Sequence, residues 1–336
     1  MTTRSEEIRE VVRHLDEIID EYKKEHPSPK RDWRTYEQQF ARRAKACFTE
    51  LEPLVEEAVS SINITSGEHR GNEPKLTLKQ KVLLLLLKHF CGKSNRTMEW
   101  MIVVFSMLSN VDVSYKTIER LYSDETIKLA IFNLYSLLLK KKGIEEANCG
   151  GDGTGHALCI QKHYATEAQK LKDKIKENSD DKKKFVYSFS FIDIKSRMYV
   201  GYGTSFKSEK CAFEKALAMA KELGINIRSL RLDRYYSGEA YVNLCQEYLG
   251  KDIKMFMIPK SNIAHLGVGE FCRMVYAFVE DTKAFLKEYF QRNQSESGFS
   301  EDKKRTGWRF AQKREDRIET AYGLTNLWHN LSWSGA

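Results

Sequence analysis

The chain has 336 residues, 41% hydrophobic and 30% charged, enough to bury a core and fill two or three domains, which excludes a disordered tail. Its 55 lysines and arginines against 47 acidic residues give a formal charge of +8, which favours a polyanionic partner, nucleic acid first. Seven scattered cysteines without a C-x-x-C pair fit a reducing cytoplasm. No secretory leader opens the chain, and the longest apolar runs, 82–87 and 101–108, fall well short of the ~20 residues of a membrane span.

Ile8, Val11, Val12, Leu15, Ile18, Ile19 and Tyr22 recur at helical spacing, so residues 5–25 are expected to form an amphipathic helix. It docks either on its own chain or on a second copy, and the prolines at 27 and 29 end it. A second helix is expected over 31–62, broken or bent at Pro53, then a polar loop over 65–74. Residues 76–142 read as helical throughout. Thr77 caps one helix, Ser94 and Thr97 open another through Leu108, and Ser114 caps a short one that turns Ile118 and Leu121 inward. That last helix leaves Tyr115, Lys116, Thr117 and Arg120 outward. Two helices, a turn and a polar-faced third, over about 77–122, match a helix-turn-helix reader of the DNA major groove; a plain helical packing module is the alternative.

From Asn148 the pattern changes to strands alternating with helices. A strand carries Asp152, a lysine-rich connection runs over 170–184, and alternation at 185–192 and 198–202 marks a β-hairpin. Helices are expected at 209–223 and 237–249, strands at 227–232 and 253–258, a long helix at 271–290, a polar loop at 293–307 and a final helix at 308–331. This order predicts an α/β (α+β) chain. An all-helical N-terminal region with a helix-turn-helix precedes an RNase H-like mixed five-stranded sheet flanked by helices. Three regions follow: 1–30, 31–145, and 146–336 with a helical insertion at about 266–307.

Asp152 lies in Gly150-Gly151-Asp152-Gly153-Thr154-Gly155, where glycine would let a phosphate approach the backbone. The run lacks the Gly-Lys-Ser/Thr ending of an NTPase loop. Asp233 follows a strand, and Glu319 lies on the last helix among Gln312, Glu315, Asp316, Gly323 and Asn326 on one polar face, with Lys313, Arg314 and Arg317 around it. Hard carboxylate oxygens brought together from several elements suit a pair of divalent ions working on a phosphodiester, so Asp152, Asp233 and Glu319 are the candidate catalytic and metal-binding set. Asp193 precedes a tight turn and is left out. Cys149, His156, Cys159 and His163 have a zinc-like spread but no close cysteine pair.

Asp152-Gly153-Thr154, Asp233-Arg234-Tyr235-Tyr236-Ser237, Pro259-Lys260-Ser261-Asn262 and Arg317-Ile318-Glu319-Thr320-Ala321-Tyr322-Gly323 resemble, over about 76–330, the successive blocks of prokaryotic insertion-sequence transposases of the DDE class. The resemblance implies an RNase H-like catalytic domain and two Mg2+ ions, with Mn2+ as a substitute. It implies double-stranded DNA as partner, as transposon ends and as target, and a homodimer or higher assembly on it. It further implies strand cleavage followed by attack of the freed 3′-hydroxyl, a nucleoid-associated cytoplasmic location, and DNA contacts by Lys260, Arg314 and Arg317. Many relatives place tyrosine, arginine and lysine seven before, four before and seven after the closing glutamate. Around Glu319 those positions hold Gln312, Glu315 and Asn326, and Glu315 is the reserve candidate. The alternatives are a non-catalytic sequence-specific DNA-binding protein or transposase remnant, and an RNase H-like nuclease of branched DNA or hybrids.

Overall fold

The computed structural model describes residues 2–27, 32–62, 75–92, 98, 100–103, 112–158, 185–260, 269–307, 309–312 and 314–335. The expected loop at 65–74, the helix start at Ser94 and Thr97, the lysine-rich connection at 170–184, Cys159, His163 and Lys313 lie outside them.

Helices α1 (Thr2–Arg13) and α2 (Leu15–Glu25) divide the expected N-terminal helix at His14. Their apolar face docks within the chain: Ile8 and Leu15 are buried, Tyr22 stacks on Phe290 at 5.5 Å, and Lys283 pairs with Glu25 at 2.9 Å. Helix α3 (Trp33–Ser60) starts at Asp32, whose carboxylate accepts from the Arg34 and Thr35 amides, and it runs through Pro53 without a break. Cys47 and Leu51 before the proline, and Leu54, Val55 and Ala58 after it, share one buried face. That burial outweighs the roughly 3 kcal/mol a helix-interior proline costs.

Helix α4 (Leu78–Phe90) opens with a reciprocal capping box between Thr77 and Gln80. Helix α5 (Tyr115–Leu121) begins after Ser114, which makes no side-chain cap bond, and α6 (Glu125–Lys141) is capped by Asp124.

The sheet is built from β1 (Glu146–Leu158), β2 (Phe185–Asp193), β3 (Tyr199–Ser205), β4 (Asn226–Arg231) and β5 (Lys254–Phe256) in the order β3-β2-β1-β4-β5. β1–β2 and β2–β3 are antiparallel, while β1–β4 and β4–β5 are parallel. Parallel pairs need crossovers, supplied by α7 (Glu209–Glu222) and α8 (Glu239–Leu249). This is the mixed, helix-flanked sheet expected from the element order. A sixth, two-residue strand, β6 (Arg309–Phe310), pairs with the far end of β1, which extends beyond the stretch that β4 covers.

The chain after β5 departs from expectation. The long helix is two, α9 (Glu270–Glu280) and α10 (Thr282–Tyr289), separated at Asp281, whose side chain caps the second through the Ala284 amide at 2.9 Å. A 3-10 turn (Phe290–Arg292) then leads into α11 (Asn293–Thr306), where a polar loop was expected. Its buried positions are Ser295, Gly298, Phe299, Asp302 and Thr306, a helical spacing filled by mostly polar or small residues, so a reading keyed to apolar periodicity misses it. The last helix, α12 (Glu315–Ser334), starts later than expected. It lies between sheet and helical region: Trp328 Nε1 donates to the Leu86 carbonyl at 3.0 Å on one side, and Ser190 Oγ donates to Asn326 Oδ1 at 2.8 Å on the other.

Candidate active site

The middle of β1 and the end of β4 lie side by side, which brings Asp152 close to Asp233. Each aspartate uses one oxygen locally: Asp152 Oδ1 accepts from the Gly153 amide and Asp233 Oδ1 from the Tyr235 amide, both at 2.9 Å. The other oxygens converge on one guanidinium. Arg292 Nη1 lies 3.5 Å from Asp152 Oδ2, and its Nη2 lies 3.4 Å from Asp233 Oδ2 and 3.1 Å from Glu296 Oε1. A third carboxylate, on the first turn of α11, thus joins the two expected aspartates.

Glycine makes this approach possible. A Cβ on Gly150 would sit 3.1 Å from the Arg292 Cα, so the missing side chain admits the segment that carries the arginine. A Cβ on Gly153 would strike the Glu209 carboxylate on the opposite face. Gly150 and Gly153 thus make room for protein atoms.

Burial dominates the electrostatics. It lifts the Asp152 carboxyl to about 6, against the lowering pull of Arg292 and of the Gly153 amide, with the charges of Asp233 and Glu296 adding to the rise. Burial also works against the Arg292 cation, but Tyr289, Asp152, Glu296 and Asp233 outweigh it and raise its pKa.

Further side chains complete the cluster. The Tyr289 hydroxyl accepts from Arg292 Nε at 3.1 Å, and Lys303 Nζ donates to Thr154 Oγ1 at 2.7 Å, two residues along β1 from Asp152. Tyr289, Arg292 and Lys303 stand seven before, four before and seven after Glu296. That is the spacing the family resemblance leads one to expect around the closing glutamate. The signal was in the sequence, but it emerges only when every glutamate is tried against it, including those in a segment that reads as loop.

Glu319 is placed elsewhere. It is half-exposed on α12 and pairs with Lys215 of α7 at 3.3 Å. One turn on, Gly323 abuts the Tyr202 hydroxyl of β3. β3 is two strands from β1, on the order of 10 Å to the side. The reserve residue Glu315 is exposed at the start of the same helix. The supposed polar face divides: Glu315 and Glu319 stay exposed, whereas Gln312, just before α12, and Gly323 and Asn326 on it are buried, and Asn326 serves Ser190.

Arg317 is tied to α5 by its pair with Glu119 and by donation to Ser123 Oγ at 2.8 Å, while Arg314 pairs with Asp316. Lys260 lies over the exposed Tyr235 ring at 5.6 Å, beside Asp233. On α5, Lys116 and Arg120 are exposed and Tyr115 and Thr117 half-buried; most of the helix expected before α5 lies outside the described residues. Asp193 has a turn role, accepting from the Asn148 and Ser196 amides. Cys149 and His156 sit on one strand seven residues apart, roughly 23 Å, and so cannot share an ion.

The donors are chemically suited to hard divalent cations: three carboxylates from three elements, gathered around a positive group rather than closed on one another. Among the described residues no helix is long and apolar enough to cross a membrane. No family model and no solved structure matches the chain. A curated protein of Archaeoglobus fulgidus, described as a probable transposase for insertion sequence element ISA1214, is 40% identical over 326 residues, covering 96% of this chain and 94% of that protein. With that likeness running through both the helical region and the sheet, the chain belongs to the insertion-sequence transposases.

Proposed function

We propose that the protein is a transposase of the DDE class that cuts DNA at the ends of its element and joins the freed 3′-hydroxyl to target DNA, with Asp152, Asp233 and Glu296 as its metal-binding carboxylates. The observation that carries this reading is the convergence of those three acids on Arg292, with Tyr289 and Lys303 in the family spacing around Glu296. Two Mg2+ ions, or Mn2+, when bound would supply activation of the attacking oxygen and stabilisation of the leaving one.

The chain's own residues have separate tasks. Local amide bonds hold Asp152 and Asp233 so that one oxygen of each stays directed inward. Lys303, Lys260 and Tyr235 border the acids and are placed to grip the strand, the lysines at phosphates and the exposed ring at a base or sugar. Lys116 and Arg120, with Tyr115 and Thr117, face outward from α5 to read the element's end. Arg317 and Arg314 are engaged with Glu119 and Asp316, so their role is to hold α12 rather than DNA.

The test is Mg2+-dependent nicking of a duplex carrying the element's terminal sequence. Asp152→Ala, Asp233→Ala and Glu296→Ala are expected to abolish nicking while retaining duplex binding. Full nicking by any of the three removes this assignment. Binding without nicking in the unmodified protein would favour the non-catalytic alternative.

A further inference from the structure

Arg292 occupies the place a cation must take to serve all three acids, an observation that bears on the site only if the metal reading above holds. Its hold on the two aspartates is loose, at 3.5 and 3.4 Å, while Glu296 and Tyr289 keep it at 3.1 Å each. The 3.5 Å contact to Asp152 is at the limit of hydrogen-bond range, and Nη1 is buried without a hydrogen-bond partner. Among the described residues no three acidic, histidine or cysteine side chains are disposed to hold an ion together. Two positive groups a few ångströms apart in a partly buried site repel strongly, so a divalent ion and Arg292 cannot both occupy it. A guanidinium leaving carboxylates needs another anion, and its planar donor fork matches a phosphate as well as a carboxylate.

We propose that Arg292 is an exchangeable internal counter-ion that couples metal loading to DNA binding. Without DNA it neutralises Asp152, Asp233 and Glu296 and holds off divalent cations. A strand phosphate beside the acids takes over its donors, and the carboxylates become free. Linkage makes the effect reciprocal: DNA tightens metal binding and metal tightens DNA binding by the same factor. The competing reading, an arginine that merely positions the three acids, makes the opposite prediction for its removal.

The experiment is calorimetric titration of Mn2+ into the full-length protein with and without a duplex carrying the element's terminal sequence, corrected for Mn2+ bound by the duplex alone. The unmodified protein is expected to bind Mn2+ at least about tenfold more tightly with DNA. Arg292→Gln is expected to bind it at least about tenfold more tightly than the unmodified protein without DNA, and to lose most of the DNA effect. Arg292→Lys, which keeps the charge but cannot span three acids, is expected to fall between. Equal or weaker Mn2+ binding by Arg292→Gln, or, if that variant does not fold, by Arg292→Lys, overturns the proposal, as does the absence of a DNA effect in the unmodified protein. Asp152→Asn and Asp233→Asn separate the two failures. If they leave Mn2+ binding intact, the metal site itself is misassigned; if they abolish it while Arg292→Gln does not tighten it, only the coupling falls.

Discussion

The two last long helices, α11 and α12, invert what their composition suggests. α11 is polar along its length, yet it is the helix that brings a carboxylate, Glu296, to the aspartate pair, while its other side is buried. α12 carries the more evident acidic residues on its exposed start, yet from Thr320 to Leu331 it is buried on every side and spends its polar groups there inside the protein. Asn326 accepts from Ser190, Asn330 pairs with both backbone groups of Tyr199, and Thr320 donates to the Tyr122 carbonyl. Polar side chains at helical spacing therefore do not identify a solvent or ligand face. They identify it only once the partners available in the fold are known.

The sharpest way to break this contrast is to remove one acid from each helix. Glu296→Gln is expected to lower Mg2+-dependent strand cleavage on the order of 10³-fold or more, through loss of several kcal/mol of transition-state stabilisation. Glu319→Gln should leave the rate within about threefold, since the residue is a half-exposed partner of Lys215. Equal losses in single-turnover assays would erase the distinction between the helices.

Acid should find α12 next. His89 beside Thr325 and His156 beside Tyr322 are held by burial at about 3 and about 4, below the ordinary histidine value, with Lys88 and Lys303 respectively adding to the shift. A depressed histidine stabilises the fold above its unfolded pKa near 6.5 and loses that contribution as pH falls towards the folded value, at up to about 1.4 kcal/mol per pH unit. Asp152, raised to about 6, runs the other way and returns part of the loss between about 6 and its unfolded value. Urea denaturation from pH 7 to 5 should therefore show falling stability, with a flatter slope in His156→Gln. An unchanged slope in that variant would mean the imidazole is not neutral and buried in solution.

A smaller effect is expected from Asn330→Ala, about 2 kcal/mol of stability, because the Tyr199 amide loses its 2.7 Å acceptor inside the core. Glu319→Ala should change stability by no more than about 0.5 kcal/mol in the same melts. Lys303→Ala should reduce nicking by about tenfold through one lost cation beside β1; no loss at all would detach Lys303 from the site.

Much of the architecture was legible from local chemistry. The Thr77 capping box, the alternation at 185–192, the glycines ending α7 and α8, and the order of strands and crossovers each follow from rules that act over a few residues. Asp152 and Asp233 were legible as candidates for the same reason, one flanked by glycines within β1 and the other opening the turn after β4. Glu296 was not, because its helix lacks an apolar stripe and its neighbours read as loop. The expected break at Pro53 failed for a related cause: the proline's local cost is set against burial that only the assembled helices provide.

Sequence alone determined the order of strands and crossovers from β1 to β5, the two candidate aspartates and the basic character suited to a polyanion, because period, capping and charge are properties of neighbouring residues. Tertiary structure decided which glutamate meets the aspartates, which polar positions are core, and that the α1–α2 face docks on the chain's own α9 and α10 and on Phe290. Those outcomes depend on partners hundreds of residues apart, such as Tyr22 and Phe290 or Trp328 and Leu86, and on a single guanidinium placed where the middle of β1, the turn after β4 and the start of α11 meet.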